Sequence, residues 1–154
     1  MNYGEPLIVQ SFLPEQLTQR QGPQGILEER YSGPTTPLIK RLRKGLPMAE
    51  FQALRQLLAI PEEELGRLLR MSPATLNRRK KGSHLTTAES ERIVRFARLF
   101  GQACEVLETE EAARDWLKTE NPGTAHEPPL GYADTEFGAR EVENLLGRLD
   151  HGIF

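Results

Sequence analysis

From Pro37 onward, apolar side chains recur at the three- and four-residue spacing of amphipathic helices, and glycines, prolines and capping residues divide that pattern into segments. Leu38-Ile39-Lys40-Arg41-Leu42-Arg43-Lys44 reads as a helix stopped by Gly45. Pro47 suits the first turn of a second helix that carries Phe51, Leu54 and Leu57/Leu58. Pro61 opens a third. Its first turn holds Glu62, Glu63 and Glu64, where the positive end of the helix dipole favours carboxylates, and its apolar face is Leu65, Leu68 and Leu69. Ser72-Pro73 pairs a serine N-cap with proline in the first helical position, starting a fourth helix that runs to Lys81 and stops at Gly82. Thr86 with Glu89 fits a capping box and launches the longest helix, residues 87–107, with the stripe Ile93, Ala97, Phe100, Cys104 and Leu107. Thr109 caps a helix bearing Ala112, Ala113, Trp116 and Leu117. Asn121-Pro122-Gly123 ends it, and Pro128-Pro129 extends the loop. The last helix starts at Asp134 or Thr135, buries Val142, Leu145, Leu146 and Leu149, and ends at Gly152. The expected fold is all-α.

Residues 1–36 break the pattern. They hold five glutamines, with Gln21-Gly22-Pro23-Gln24-Gly25 and Ser32-Gly33-Pro34 interrupting any periodicity, and read as an extended or poorly ordered arm. Within it, Leu7-Ile8-Val9 suggests a short strand and Pro14 to Leu17 a helical turn. The expected organisation is this arm, a helical domain over 37–108 and a C-terminal helical domain over 109–154.

Composition excludes more than it identifies. The chain has 154 residues, 38% hydrophobic and 27% charged, which suits a globular protein. No apolar run approaches the roughly 20 residues of a membrane-spanning helix, and Met1-Asn2-Tyr3-Gly4-Glu5-Pro6 does not look like a secretory signal. One cysteine, Cys104, allows no intramolecular disulfide and suits a reducing cytoplasm. His84, His126 and His151 have no metal-ligand spacing, and no metal or other cofactor is expected. No Ser/His/Asp, Cys/His or paired-carboxylate set stands out from ordinary helix-face charge, so no catalytic residue is assigned and an enzyme is not expected. The net charge of −2 conceals a strong asymmetry: −2 over residues 1–36, +8 over 37–100 and −8 over 101–154. A basic middle and an acidic tail suggest two different partners.

The stretch 62–81 has the proportions of a helix-turn-helix, with Leu65, Leu69, Met71 and Leu76 locking two short helices and Gly66 allowing their close approach. Arg70 stands at a turn position often held by glycine, where a left-handed backbone costs about 1 kcal/mol. On the second helix Ala74, Asn77, Arg78 and Lys81 share the face opposite Leu76, and Asn and Arg suit two-point hydrogen bonds to adenine and guanine edges. Ser72, Thr75, Arg79 and Lys80 are placed for phosphates. The run Arg78-Arg79-Lys80-Lys81 also suits a solvated basic helix end complementing the dipole.

The chain resembles the Xre/MbcA/ParS-type antitoxins that pair with RES-domain toxins. The resemblance runs over residues 37–154. It is carried by Leu46-Pro47 through Leu58, Leu65-Gly66-Arg67-Leu68-Leu69, Ser72 through Gly82, and Leu85 through Phe100. Its most specific part is Asn121-Pro122, Pro129-Leu130 and the unbroken stretch Asp134 through Gly152. The resemblance implies a cytoplasmic antitoxin whose N-terminal helical part forms a homodimer and represses its own operon by binding operator DNA. Its C-terminal part would bind an NAD-consuming RES-domain toxin and block the active site. It also implies toxin contacts at Asp134, Glu136, Arg140, Glu143, Arg148, His151, Ile153 and Phe154, with Glu141 and Asp150 adding carboxylates. Arg140 and Arg148 can equally pair with Glu136 and Asn144 on their own helix, and His151 can cap the last turn. Gly123 to Pro128 departs from the family's glycine-rich loop, and the arm lies outside the resemblance. A stand-alone helix-turn-helix repressor is the alternative reading.

Overall fold

The computed structural model describes residues 7–14, 35–82 and 84–152. Among these, regular structure is helical throughout: α1 (Ile8–Ser11), α2 (Thr35–Lys44), α3 (Met48–Leu58), α4 (Glu62–Leu68), α5 (Pro73–Lys80), α6 (Thr87–Leu107), α7 (Glu110–Lys118), α8 (Pro129–Tyr132) and α9 (Glu136–Asp150), with a 3-10 turn at Pro122–Thr124. The helices stop and start where the local chemistry requires. Ser72 Oγ accepts the Thr75 N–H, Thr86 and Glu89 form a reciprocal capping box, and Thr109 and Thr135 accept from Ala112 and Gly138. Pro47 and Pro61 sit one position earlier than expected, as N-caps rather than in the first turn.

Helix α6 is the axis of the molecule, packed by α1, α2, α3, α7 and α9. The sequence shows one apolar stripe on it, yet Val94, Phe96, Leu99 and Ala103 are buried as well as Ile93, Ala97, Phe100 and Cys104. Partners covering several sides of one helix produce this. The Cys104 thiol is buried there, which pushes its pKa up to about 12 and leaves it a small core group. Trp116 is half-buried at the edge of the same core.

One of those partners corrects the sequence reading. Leu7-Ile8-Val9 is no strand, and residues 7–14 are no extended arm: Ile8 to Ser11 is a helical turn whose Ile8, Val9 and Leu13 join the core. The fully buried Glu50 carboxylate accepts the Ile8 N–H at 2.6 and 3.0 Å and the Val9 N–H at 3.2 Å. Gly101 makes the approach possible, because a Cβ there would overlap the Phe12 carbonyl oxygen. Most of the suggested turn at 14–17, and the rest of 1–34, lie outside the described residues.

The C-terminal helices are tied into the same body. Lys118 Nζ donates to the Ala59 carbonyl at 2.7 Å and Arg114 Nε to that of Leu57 at 2.6 Å, so cations of α7 satisfy the open carbonyls at the end of α3. Pro128-Pro129 does not simply lengthen a loop: Pro129 opens the short helix α8, whose Leu130 is buried. Helix α9 buries Val142 and Leu146 fully against α6, while Leu145 and Leu149 stay half-buried.

Candidate functional site

The pair α4–α5 forms the expected helix-turn-helix. Leu65 and Leu69 are fully buried, Met71 and Leu76 close the gap, and a Cβ on Gly66 would stand 3.3 Å from Leu76 Cδ2. The turn is a Schellman motif: Met71 N–H donates to the Gly66 carbonyl at 2.8 Å and Arg70 N–H to that of Arg67 at 3.0 Å. Arg70 takes the left-handed position with φ 59°. From α6, Arg92 Nη1 donates to the Leu69 carbonyl at 3.0 Å and holds the end of α4.

Helix α5 presents Ala74, Asn77, Arg78 and Lys81 to solvent, as their spacing requires. The expected phosphate contacts divide. Ser72 is occupied as the N-cap, its hydroxyl also donating to Thr75 Oγ1 at 2.9 Å. Thr75 is half-buried. Lys80 makes an open ion pair with Glu62 at 2.8 Å, of the kind that contributes little to stability. Arg79 is the correction: it turns inward to Glu89 at 2.9 Å, with side-chain exposures of only 14% and 9%. Burial pushes the Glu89 carboxyl up, but hydrogen bonds from Arg79 and the Thr86 N–H outweigh it and hold the pKa below the usual range. Arg79 therefore fixes α5 to α6 instead of facing outward. Sequence pattern alone cannot separate the four adjacent cations, since only the fold brings Glu89 beside one of them.

The second surface lies on α8 and α9. Asp134, Glu136, Arg140, Arg148 and His151 are exposed. Arg140 stands 3.5 Å from Glu136, the intrahelical pairing open to it from its spacing. Glu143 departs from its expected outward role. It is half-buried, sits 3.9 Å from Arg98, and its carbonyl accepts from Gln102 at 3.1 Å, so it faces α6. Ile153 and Phe154 lie outside the described residues. His151 is the C-cap of α9.

Phe137 was not among the expected contacts. It is 80% exposed, in the first turn of α9. Its polar neighbours Glu136 and Arg140 drew the reading; the signal available was an aromatic set off the Val142–Leu146 stripe. Beside it lies an open concavity of about 440 Å³ lined in part by Glu127, Tyr132, Asp134 and Glu141. No group of His, Cys, Asp or Glu among the described residues could hold a metal ion, and no helix there is long and apolar enough to cross a membrane.

Comparison with known proteins assigns a family to both surfaces. Residues 37–98 match the antitoxin Xre-like helix-turn-helix domain, and residues 102–152 match the antitoxin Xre/MbcA/ParS C-terminal toxin-binding domain. Antitoxin Xre of Yersinia enterocolitica is 32% identical over 121 residues, covering 77% of this chain and 82% of that protein. Antitoxin Xre of Photorhabdus laumondii is 32% identical over 124 residues, covering 79% and 82%. The Prs ADP-ribosylating antitoxin of a Sphingobium species is 24% identical over 123 residues, covering 73% and 77%. These matches make the protein a regulator rather than an enzyme. With a helix-turn-helix built on α4 and α5 and a toxin-binding domain completed by α9, this chain belongs to the Xre-type antitoxins.

Proposed function

We propose that this antitoxin neutralises a cognate RES-domain toxin that consumes NAD⁺, covering the toxin's active site with its C-terminal segment, and that it represses its own operon by binding operator DNA through α5. It works in the cytoplasm as a homodimer, since helix-turn-helix proteins commonly read two half-sites related by a two-fold axis. The observation that carries the reading is the seating of two surfaces of opposite charge on one helix. Helix α5, tied to α6 by Arg79–Glu89, exposes Arg78 and Lys81 at one place. Helix α9, packed on α6, carries exposed Glu136 and Glu141 at another, with exposed Asp134 just before it. One relative's name joins ADP-ribosylation to an antitoxin. ADP-ribosyl transfer draws on NAD⁺, which supports a partner of that chemistry.

The test is co-expression with the product of the adjacent gene. The neighbour alone should deplete NAD⁺ and arrest growth, and the full chain should restore both while co-purifying with it. A harmless neighbour, or rescue without complex formation, removes the toxin reading and favours a stand-alone repressor. For the DNA arm, Arg78→Ala should weaken binding to a duplex from the upstream region by about 1–3 kcal/mol and relax sequence preference. Unchanged affinity and salt slope would show that α5 does not enter the groove.

A further inference from the structure

We propose that the grip on the toxin is centred on Phe137 and the acidic concavity beside it, which receives a cationic, apolar-flanked patch of the partner. This rests on the toxin reading above and locates it at the first turns of α9 rather than at the chain terminus.

Phe137 and Ile39 are the exposed large hydrophobic side chains of the described residues, at 80% and 42%. A single exposed apolar residue is ordinary. Ile39 lies on the basic helix α2. Phe137 differs in two respects.

The first is a rigid mount. Thr135 Oγ1 accepts the Gly138 N–H at 3.0 Å, and Gly138 lies so close to α8 that a Cβ would overlap the Tyr132 carbonyl oxygen. Arg95 Nη1 donates to the Asp134 carbonyl at 3.4 Å. Across the concavity, the Glu127 carbonyl accepts the Asn121 N–H at 3.3 Å and the hydroxyl of the buried Thr124 at 2.7 Å. An aromatic held by a fixed backbone loses little freedom when a partner covers it, and that is the property of an interface anchor.

The second is charge. Two acidic residues of α9 outside the concavity have cations: Glu136 has Arg140 and Glu143 has Arg98. The carboxylates of Glu127, Asp134 and Glu141, which line the concavity, have no cationic partner among the described residues. Unneutralised negative charge grouped around an anchoring ring is complementary to an arginine or lysine flanked by apolar side chains. Arginine fits best, because its planar head accommodates two carboxylates and can lie against the ring.

The full chain should be tested with the adjacent gene product by calorimetry and growth rescue, using wild type, Phe137→Ala, the double variant Asp134→Asn with Glu141→Gln, and Glu91→Gln as a control at an exposed carboxylate of α6. Phe137→Ala should weaken binding by about 30-fold or more. The double variant should slow association and flatten its salt dependence, and the control should match wild type. All these side chains are exposed, so circular dichroism and Tm should not change. If wild type neither binds nor rescues, the toxin reading fails and this placement falls with it. If wild type binds and both concavity variants bind equally well, only the placement is wrong. If Phe137→Ala leaves toxin affinity intact but shifts sedimentation toward monomer, the patch joins two copies of this chain and the proposal is overturned.

Discussion

Arg79 Nε and the Thr86 backbone N–H converge on one oxygen of Glu89, at 2.9 and 2.8 Å. A single carboxylate thus caps α6 and holds the far end of α5. The orientation of the recognition helix is set from outside the helix-turn-helix itself. Glu89→Ala removes a cap worth about 1 kcal/mol and leaves a mostly buried guanidinium unpaired, so a loss of about 3 kcal/mol is expected in urea unfolding. Arg78→Ala, one position earlier and exposed, should cost much less. Equal losses from the two would show that the Arg79–Glu89 contact carries no stability.

Two buried carboxylates should respond to pH in opposite senses. Burial raises the Glu50 pKa above its ordinary 4.5, outweighing the hydrogen bonds from Ile8 and Val9. The folded chain then holds that proton more tightly than the unfolded one. Its contribution is complete below 4.5 and fades as pH rises through the folded value. The Glu89 pKa is lowered, so its contribution is complete above 4.5 and fades as pH falls through the folded value. Tm measured between about pH 3 and about pH 8 should therefore show Glu50→Gln gaining on wild type as pH rises and Glu89→Gln losing ground. Parallel curves for the two variants would contradict both assignments.

The turn of the helix-turn-helix stores a small strain. Arg70 is a non-glycine residue at φ 59°, within a Schellman turn that glycine adopts without penalty. Arg70→Gly should raise stability by about 1 kcal/mol by calorimetry, despite glycine's greater freedom in the unfolded chain. A loss would mean that the arginine side chain contributes more than its backbone costs.

Glycine to alanine in the middle of a helix ordinarily stabilises by about 0.5–1 kcal/mol. Gly101→Ala should do the reverse here, because the added methyl meets the Phe12 carbonyl. Hydrogen exchange should show faster exchange at the Ile8 and Val9 amides, whose acceptor is Glu50. Unchanged protection with higher Tm would show that residues 7–14 do not depend on that close approach.

Deleting the segment after Ala133 is a poor way to separate the two activities. Val142 and Leu146 are fully buried against α6, so removal of α9 opens the core that also supports α5. Such a truncation should lower Tm and DNA affinity together, whereas Phe137→Ala should change neither. Full DNA binding by the truncated chain would show that α6 keeps its place without α9.

Local rules settle much of this protein. Ser72, Thr86, Thr109 and Thr135 announce their helices because a short hydroxyl side chain reaches an amide only a few residues away. Gly45 and Gly152 mark helix ends because they accept positive φ, and the exposed face of α5 follows from helical period alone. Long-range contacts settle the rest. Glu50 sits 42 residues from the amide it receives, so a turn that looks like a strand or a loose arm becomes core. Among four adjacent cations, the approach of α6 takes Arg79 out of the solvent. Glu143 turns inward and Phe137 stands out in solvent because α6 covers one side of α9 and leaves the other open. Amphipathicity shows that a helix has a face to bury; which face is covered, and by what, depends on where the other helices come to rest.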